Sequence, residues 1–138
     1  MRALVQRVAR AAVSVDGRQV AAIGPGMVVL LGIASEDGEG QAESLAAKVT
    51  ALRIFDDAEG RMNEPLAGRE ILCVSQFTLY ADTRRGNRPS FTGAASSELA
   101  RPLYEFFCDR VGARRGVFGA RMAVELVNDG PVTLLLEA

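Results

Sequence analysis

The unbroken apolar run from Met27 to Ile33 constrains the fold of this chain more than any other segment. Continuous apolar character over this length is typical of a strand that is buried on both faces, because an exposed face would require alternating polar residues. The shorter run from Ile71 to Val74 predicts a second buried strand. The sheet that contains these strands must therefore be covered by other layers on both sides.

Alternating patterns and turn residues predict the remaining strands. Leu4 to Val15 predicts a long strand, and the turn Asp16-Gly17 connects it to a hairpin partner over Gln19 to Ile23. A short strand followed by a turn is predicted within Arg53 to Asn63. Two more strands are predicted, one over Arg121 to Val127 and one over Val132 to Glu137. They are joined by Asn128-Asp129-Gly130-Pro131.

Two segments have the apolar periodicity of an amphipathic helix. The first extends from Gln41 to Arg53 and the second from Ser97 to Val111. Pro102 lacks the backbone N–H that a helix interior uses, so it is expected to bend the second helix or to delay its start. The residues predicted to face the core are Ala42, Leu45, Ala46, Val49 and Leu52 in the first helix, and Leu99, Leu103, Phe106 and Phe107 in the second.

The chain has 138 residues and no linker, repeat or low-complexity segment, which fits a single domain over residues 1–138. The predicted elements give a mixed α/β (α+β) fold with a layered β/β/α architecture, in which a mixed sheet or partly closed barrel packs with two main helices. There is no run of about 18 apolar residues, so no membrane partner is expected. The N-terminal segment lacks the apolar stretch of a signal peptide, and a cytoplasmic location is expected.

The sequence contains no histidine, which limits the chemistry that the chain can perform. Nucleophiles activated by a histidine base and metal sites with histidine ligands are both excluded. Cys73 and Cys108 have no Cys or His neighbour at metal-ligand spacing and are predicted to be buried free thiols. No metal or cofactor is therefore expected. Because the net charge is −1, any contact with nucleic acid must come from local patches.

Two polar motifs lie at the ends of predicted strands. Ser75-Gln76-Phe77-Thr78-Leu79 follows a buried strand, where hydroxyls, an amide and main-chain N–H groups can line a pocket; a plain strand-end turn is the simpler interpretation. Asn128-Asp129-Gly130-Pro131-Val132-Thr133 is either a plain hairpin turn or a cis Gly-Pro bond that directs two carbonyls at a ligand. Thr78 could be a nucleophile only beside a base, and no histidine exists to serve as one.

Together the two motifs resemble the D-aminoacyl-tRNA deacylase family, the D-tyrosyl-tRNA deacylases. The likeness extends over nearly the whole chain. It includes Met-Arg-Ala-Leu-Val-Gln-Arg-Val at 1–8, Arg53-Ile54-Phe55, Gly60-Arg61-Met62-Asn63, Arg88-Pro89-Ser90-Phe91 and Gly116-Val117-Phe118-Gly119-Ala120. The resemblance implies an aminoacyl-tRNA editing hydrolase that removes D-amino acids from tRNA as translation quality control.

The resemblance also implies a homodimer with active sites at the subunit interface. In such a dimer a cis Gly130-Pro131 reaches into the partner's pocket, and Arg7 braces the Gly-Pro turn, although a surface strand arginine is the simpler interpretation. The residues assigned to catalysis are Gln76, Phe77 and Thr78. Those assigned to substrate binding are Arg7, Ser75, Phe91, Gly130 and Pro131, with Phe77 and Phe91 as walls of the pocket or, alternatively, as core residues.

The motif that contains Gly130-Pro131 can distinguish between the two mirror forms of an aminoacyl ester. L- and D-aminoacyl esters carry the same groups, so rigid exclusion separates them better than attraction. We hypothesise that the Gly130 and Pro131 carbonyls hold the substrate ammonium and leave no room for an L side chain. Glycine has no Cβ, so glycyl-tRNA is expected to be a second substrate.

With no histidine available, the 2′-hydroxyl of the terminal adenosine is expected to assist the attacking water. Main-chain amides near Phe77 and Thr78 would stabilise the oxyanion, and Thr78 would position the substrate rather than attack it. Arg84, Arg85 and Arg88 lie in a polar loop that either contacts tRNA phosphates or is simply solvated.

Three other interpretations remain open. A related editing enzyme with a trans Gly-Pro bond would clear L-alanine from the wrong tRNA. A non-catalytic protein on the same scaffold would bind nucleic acid, and a dimeric scaffold protein would have no site. A comparison of the deacylation of D-tyrosyl-tRNA and L-tyrosyl-tRNA distinguishes the L-alanine editing enzyme from a D-aminoacyl-tRNA deacylase. Any ester hydrolysis by the pure protein excludes a scaffold protein with no site.

Overall fold

The computed structural model describes all residues, from Met1 to Ala138. A six-stranded mixed sheet packs against two helices, as the sequence predicted. The elements in chain order are β1 Arg2–Val15, β2 Arg18–Ile23, β3 Gly26–Gly32, α1 Glu39–Ala51, β4 Phe55–Asp56, β5 Met62–Glu64, β6 Glu70–Ser75, the 3₁₀ turn Phe77–Tyr80, α2 Ser97–Val111, β7 Arg114–Arg115 and β8 Ala123–Glu137.

The long strand β1 organises the sheet because it pairs with three other strands. Along one edge, residues 2–8 pair with β3 and residues 11–15 pair with β2, both antiparallel. Along the other edge, β8 pairs with nearly the whole length of β1. From β3 the sheet continues to β6 and β7 through parallel pairing. Because β2 also contacts β6 and β7, the sheet curls into a partly closed barrel.

Strands β3 and β6 are buried on both faces, as their apolar runs predicted. Residues such as Val29 and Cys73 pack under the helices, and Cys108 of α2 joins this cluster. The intervening residues, such as Val28 and Leu72, pack inside the curl of the sheet. Both cysteines are buried free thiols, which confirms the prediction. Each fully buried aliphatic side chain contributes about 1.5–3 kcal/mol, so both layers stabilise the central strands.

Helix α2 has its predicted bounds, whereas α1 begins and ends two residues earlier than predicted. The Ser96 hydroxyl caps α2, and Pro102 lies inside the helix without delaying its start. The prediction that Leu99 faces the core was wrong, since this residue is 37% exposed. The first turn of α2 borders an open cavity instead of packed core. Neither helix is long and apolar enough to cross a membrane.

The short strands β4 and β5 form a two-stranded ribbon apart from the main sheet. The Asp57 carboxylate closes the turn between them by accepting hydrogen bonds from the N–H groups of Arg61 and Glu59. These bonds, with that of Arg61 the strongest, lower the pKa of Asp57. The sequence predicted the short strand β4 and the turn, but not the second short strand, β5.

The C-terminal segment forms one strand, so the predicted pair of strands joined by a turn was wrong. Strand β8 runs antiparallel to β1 both before and after the Asn-Asp-Gly-Pro sequence, and the chain direction never reverses. Thr133 pairs with Gln6 and Asn128 pairs with Val8, so residues 129–132 lie opposite Arg7 alone. The turn-forming residues therefore create an outward protrusion, which we call the 129–132 bulge.

Candidate active site

A cavity of about 590 Å³ opens where β6 ends. Its walls come from the ends of β3 and β6, the 3₁₀ turn, the beginning of α2 and the segment before β8. None of its 17 lining residues is charged, and three of them are phenylalanines. Such a pocket suits an uncharged ring and ester better than a phosphate group. The lining side chains include Leu31, Ser75, Phe77, Phe91, Phe118 and Met122.

The chain leaves β6 through the 3₁₀ turn Phe77–Tyr80, which borders the cavity. The Gln76 N–H donates to the Leu31 carbonyl at 2.8 Å, and further main-chain hydrogen bonds close the turn. This arrangement leaves the N–H groups of Phe77 and Thr78 without an acceptor in the chain. Free N–H groups at the start of a helical turn are suited to binding an anionic oxygen.

The side chains of the turn form a wall rather than a core. Phe77 is 56% exposed, and its ring meets that of Phe91 edge-on, with 5.0 Å between the ring centroids. The Gln76 amide donates a hydrogen bond to the Thr78 hydroxyl. No carboxylate, amine or thiol lines the cavity, so no side chain there can act as a base toward this hydroxyl.

Two residues that the sequence did not mark as functional support the turn. The Arg2 guanidinium donates to the Leu79 carbonyl at 2.8 Å and lies 4.6 Å from the centre of the Tyr80 ring. Gly32, which pairs with Arg2 across β1 and β3, is the other support. A Cβ atom at Gly32 would lie 3.0 Å from the Leu79 Cβ. No local pattern reveals either residue, since both contacts join segments that are far apart in sequence.

Arg7 fixes the 129–132 bulge and is only 7% exposed, so it is not a surface arginine. Its Nε donates to the Asp129 carbonyl at 2.8 Å, and its Nη1 donates to the Ile54 carbonyl at 2.7 Å. The Asp56 carboxylate accepts a third hydrogen bond at 3.3 Å. The Gly130-Pro131 peptide bond is cis, and both of these residues are exposed. The bulge is therefore rigid at its base and open at its tip.

The bulge and the cavity lie at different places on the sheet. None of residues 128–133 lines the cavity. Strands β8, β1, β3 and β6 are adjacent in that order. Ser75 of β6 pairs with Leu31 of β3, and Leu31 pairs with Ala3 of β1. Arg7, which lies opposite the bulge, is four residues further along β1. Strand spacing and rise then place the bulge roughly 20 Å from Ser75. Within one chain, the motif at residues 75–79 and the motif at residues 128–133 therefore lie far apart.

The three loop arginines have different surroundings. Arg84 is bound to the Asp82 carboxylate through its Nε and Nη2, the latter at 2.6 Å. This hydrogen bonding holds the pKa of Asp82 well below its usual range and raises that of Arg84. Arg85 and Arg88 are exposed and form no ion pair within the chain. The sequence did not distinguish them from Arg84.

Known proteins are similar to this chain over its whole length. The family model described as D-Tyr-tRNA(Tyr) deacylase matches residues 4–137. Proteins named D-aminoacyl-tRNA deacylase are 54% identical in Symbiobacterium thermophilum, over 100% of this chain and 96% of the relative, and 54% identical in Deinococcus radiodurans, over 99% of each.

Two solved structures share the fold. One, described as the c-Myc DNA Unwinding Element Binding Protein, superposes with a TM-score of 0.95 and 42% identity over 100% of this chain and 99% of its own. The other, described as a probable eukaryotic D-amino acid tRNA deacylase, has a TM-score of 0.86 over 99% of this chain and 98% of its own. Its 17% identity shows the shared fold alone.

Gly32→Ala should disturb the 3₁₀ turn without unfolding the protein. The new methyl group would lie 3.0 Å from the Leu79 Cβ and 3.1 Å from the Gln76 carbonyl oxygen. We expect faster hydrogen exchange at the amides of residues 76–80 and a free energy of unfolding lower by about 1–3 kcal/mol. Gly93→Ala is the matched control, because nothing lies within 4 Å of a Cβ there. Unchanged exchange in Gly32→Ala would contradict the supporting role of this glycine.

Proposed function

The chain belongs to the D-Tyr-tRNA(Tyr) deacylase family, and on this basis we propose how it recognises one mirror form of its substrate. Its activity is that of a D-aminoacyl-tRNA deacylase, a hydrolase that cleaves the ester between a D-amino acid and tRNA. Selection depends on main-chain carbonyls of the 129–132 bulge, supplied to each cavity by the other subunit of a homodimer. The observation that carries this proposal is the separation of bulge and cavity within one chain.

An exposed apolar face supports the homodimer. On β8, Val124 and Leu135 are 37% and 53% exposed. β8 pairs only with β1, so its outer edge is free. Val124 also lines the cavity, so the exposed apolar surface of β8 reaches the site. A second copy of the chain, related by a two-fold axis, would cover both faces and present each bulge to the opposite cavity.

The bulge supplies what the cavity lacks. The substrate carries an ammonium group beside its ester, and no charged side chain lines the cavity to receive it. The carbonyls of Gly130 and Pro131 can accept its N–H bonds, and Arg7 prevents their base from moving. A D side chain then points into the open part of the cavity, whereas an L side chain meets the rigid main chain. Glycine has no side chain to exclude, so glycyl-tRNA is also cleaved.

Hydrolysis needs no ionisable protein side chain. Water adds to the ester carbonyl carbon, and the free N–H groups of Phe77 and Thr78 bind the oxyanion that forms. The bond from this carbon to the ribose O3′ then breaks, and O3′ receives a proton. The neighbouring 2′-hydroxyl orients the water and relays this proton, since no lining side chain is ionisable. Ser75 and the Thr78 hydroxyl, held by Gln76, position the substrate.

The purified protein should distinguish substrates by chirality. We expect kcat/KM for D-tyrosyl-tRNA to exceed that for L-tyrosyl-tRNA roughly 100-fold or more, because the clash cannot be offset by another contact. Glycyl-tRNA should be cleaved as well. Rapid cleavage of L-alanyl-tRNA with inert D-tyrosyl-tRNA would identify the related editing activity instead. Binding to duplex DNA with no ester hydrolysis would identify a non-catalytic nucleic-acid-binding protein.

Mixed dimers test whether the bulge acts on the other subunit. Ser97→Trp blocks the cavity from its exposed rim, and Gly130→Ala displaces the bulge, since a Cβ there would lie 2.9 Å from Val132. Each homodimer should be inactive. Random exchange makes half of the dimers mixed. In a mixed dimer the open cavity of the Gly130→Ala subunit receives the intact bulge of the Ser97→Trp subunit, so one of its two sites is intact. About a quarter of wild-type activity should therefore return. No recovery, with exchange shown by mass spectrometry, would mean that each bulge serves its own subunit.

Substrate assistance predicts different outcomes for two changes. A tRNA that ends in 2′-deoxyadenosine should be nearly inert, because water loses its positioning group. Thr78→Ala should lose less than about ten-fold in kcat, because its main-chain N–H is retained. Single-turnover assays with matched ribose and deoxyribose substrates measure both. Complete loss of turnover in Thr78→Ala, with unchanged binding, would show that the hydroxyl reacts directly.

A further inference from the structure

The phosphates of the substrate must lie outside the cavity. Every nucleotide that precedes the terminal adenosine carries a negative charge, and the cavity has no cation to offset it. The chain of phosphates must leave across the rim of the cavity. Cations on that rim with no carboxylate partner are therefore the ones that can bind it.

Arg101 is one such cation. It follows Ala100, which lines the cavity, and its guanidinium lies 4.8 Å from the centre of the Phe118 ring, another part of the lining. The carboxylates nearest on the same helix, Glu98 and Glu105, form no ion pair with it. A guanidinium that stacks on an aromatic ring keeps its edge N–H groups free for a phosphate oxygen.

Arg121 is the second cation on the rim. It lies between Ala120 and Met122, which both line the cavity, and its side chain is exposed. It forms no ion pair, and neither does Glu125, the nearest carboxylate along the chain. Arg121 follows Phe118 by three residues, and its two chain neighbours line the same cavity as Phe118.

We propose that Arg101 and Arg121 form a phosphate-binding rim for the nucleotides that precede the 3′ end of the tRNA. This inference rests on the proposed function and names a contact surface for that same site. The rim differs from Arg84, whose guanidinium is already bound by Asp82. It orients the 3′ end by charge outside the cavity, while the cavity itself accepts only the uncharged adenosine and the ester.

The test compares D-tyrosyl-tRNA with the D-tyrosyl ester of adenosine, which has no phosphate. Arg101→Gln, Arg121→Gln and the double variant are assayed beside Lys48→Gln. Lys48 is an exposed cation on α1 without an ion pair, and it does not line the cavity, so its loss controls for net charge. Each rim variant should raise KM for the tRNA roughly three- to ten-fold at low salt. Each arginine removed should also flatten the dependence of log(kcat/KM) on log salt by about 0.7.

The adenosine ester separates the possible results. Unchanged kinetics with this ester, together with weaker use of tRNA, support the rim. Rim variants that match Lys48→Gln on tRNA overturn it, while the wild-type activity leaves the proposed function intact. Weaker use of both substrates also overturns it, because the arginines would then act on the cavity wall through Phe118. A wild-type protein that cleaves neither D-ester refutes the proposed function itself.

Discussion

The burial of β3 and β6 on both faces is the constraint on which the rest of the structure depends. Helices cover one face and the curled sheet covers the other, so β3 and the residues between Glu70 and Ser75 in β6 are all apolar. The first polar residues after β6 must therefore appear where the covering layers end. That position is the mouth of the cavity, and the turn formed there leaves two main-chain N–H groups without an acceptor.

A second constraint is the buried guanidinium of Arg7. A buried cation is tolerated only when its donors are satisfied, and here two main-chain carbonyls and a carboxylate accept from it. Hydrogen bonds to a charged group contribute about 1.5–3 kcal/mol each, enough to hold the displaced main chain of β8 in one conformation. The bulge thus gains a rigid base from a residue on the neighbouring strand.

In the proposed dimeric site, these two constraints assign the chemistry to main chain rather than to reactive side chains. The free N–H groups belong to the 3₁₀ turn, the accepting carbonyls would come from the bulge of the other subunit, and the lining side chains are uncharged. Main-chain groups are attached to the sheet, so they move less than long side chains and suit discrimination by shape. A chain without histidine can therefore carry a hydrolytic site, provided that the substrate contributes its own hydroxyl.

The sequence by itself determined the buried strands, the bounds of α2, the two motifs and the family, because these follow from local periodicity and from residue identity. Only the tertiary structure decided that residues 129–132 form a bulge within one strand. Turn-forming residues do not specify whether the chain reverses, whereas pairing with β1 does. The same holds for Leu99, which is exposed instead of buried in the core, and for Arg2 and Gly32. Their contacts join distant segments, and such contacts exist only once the sheet has assembled.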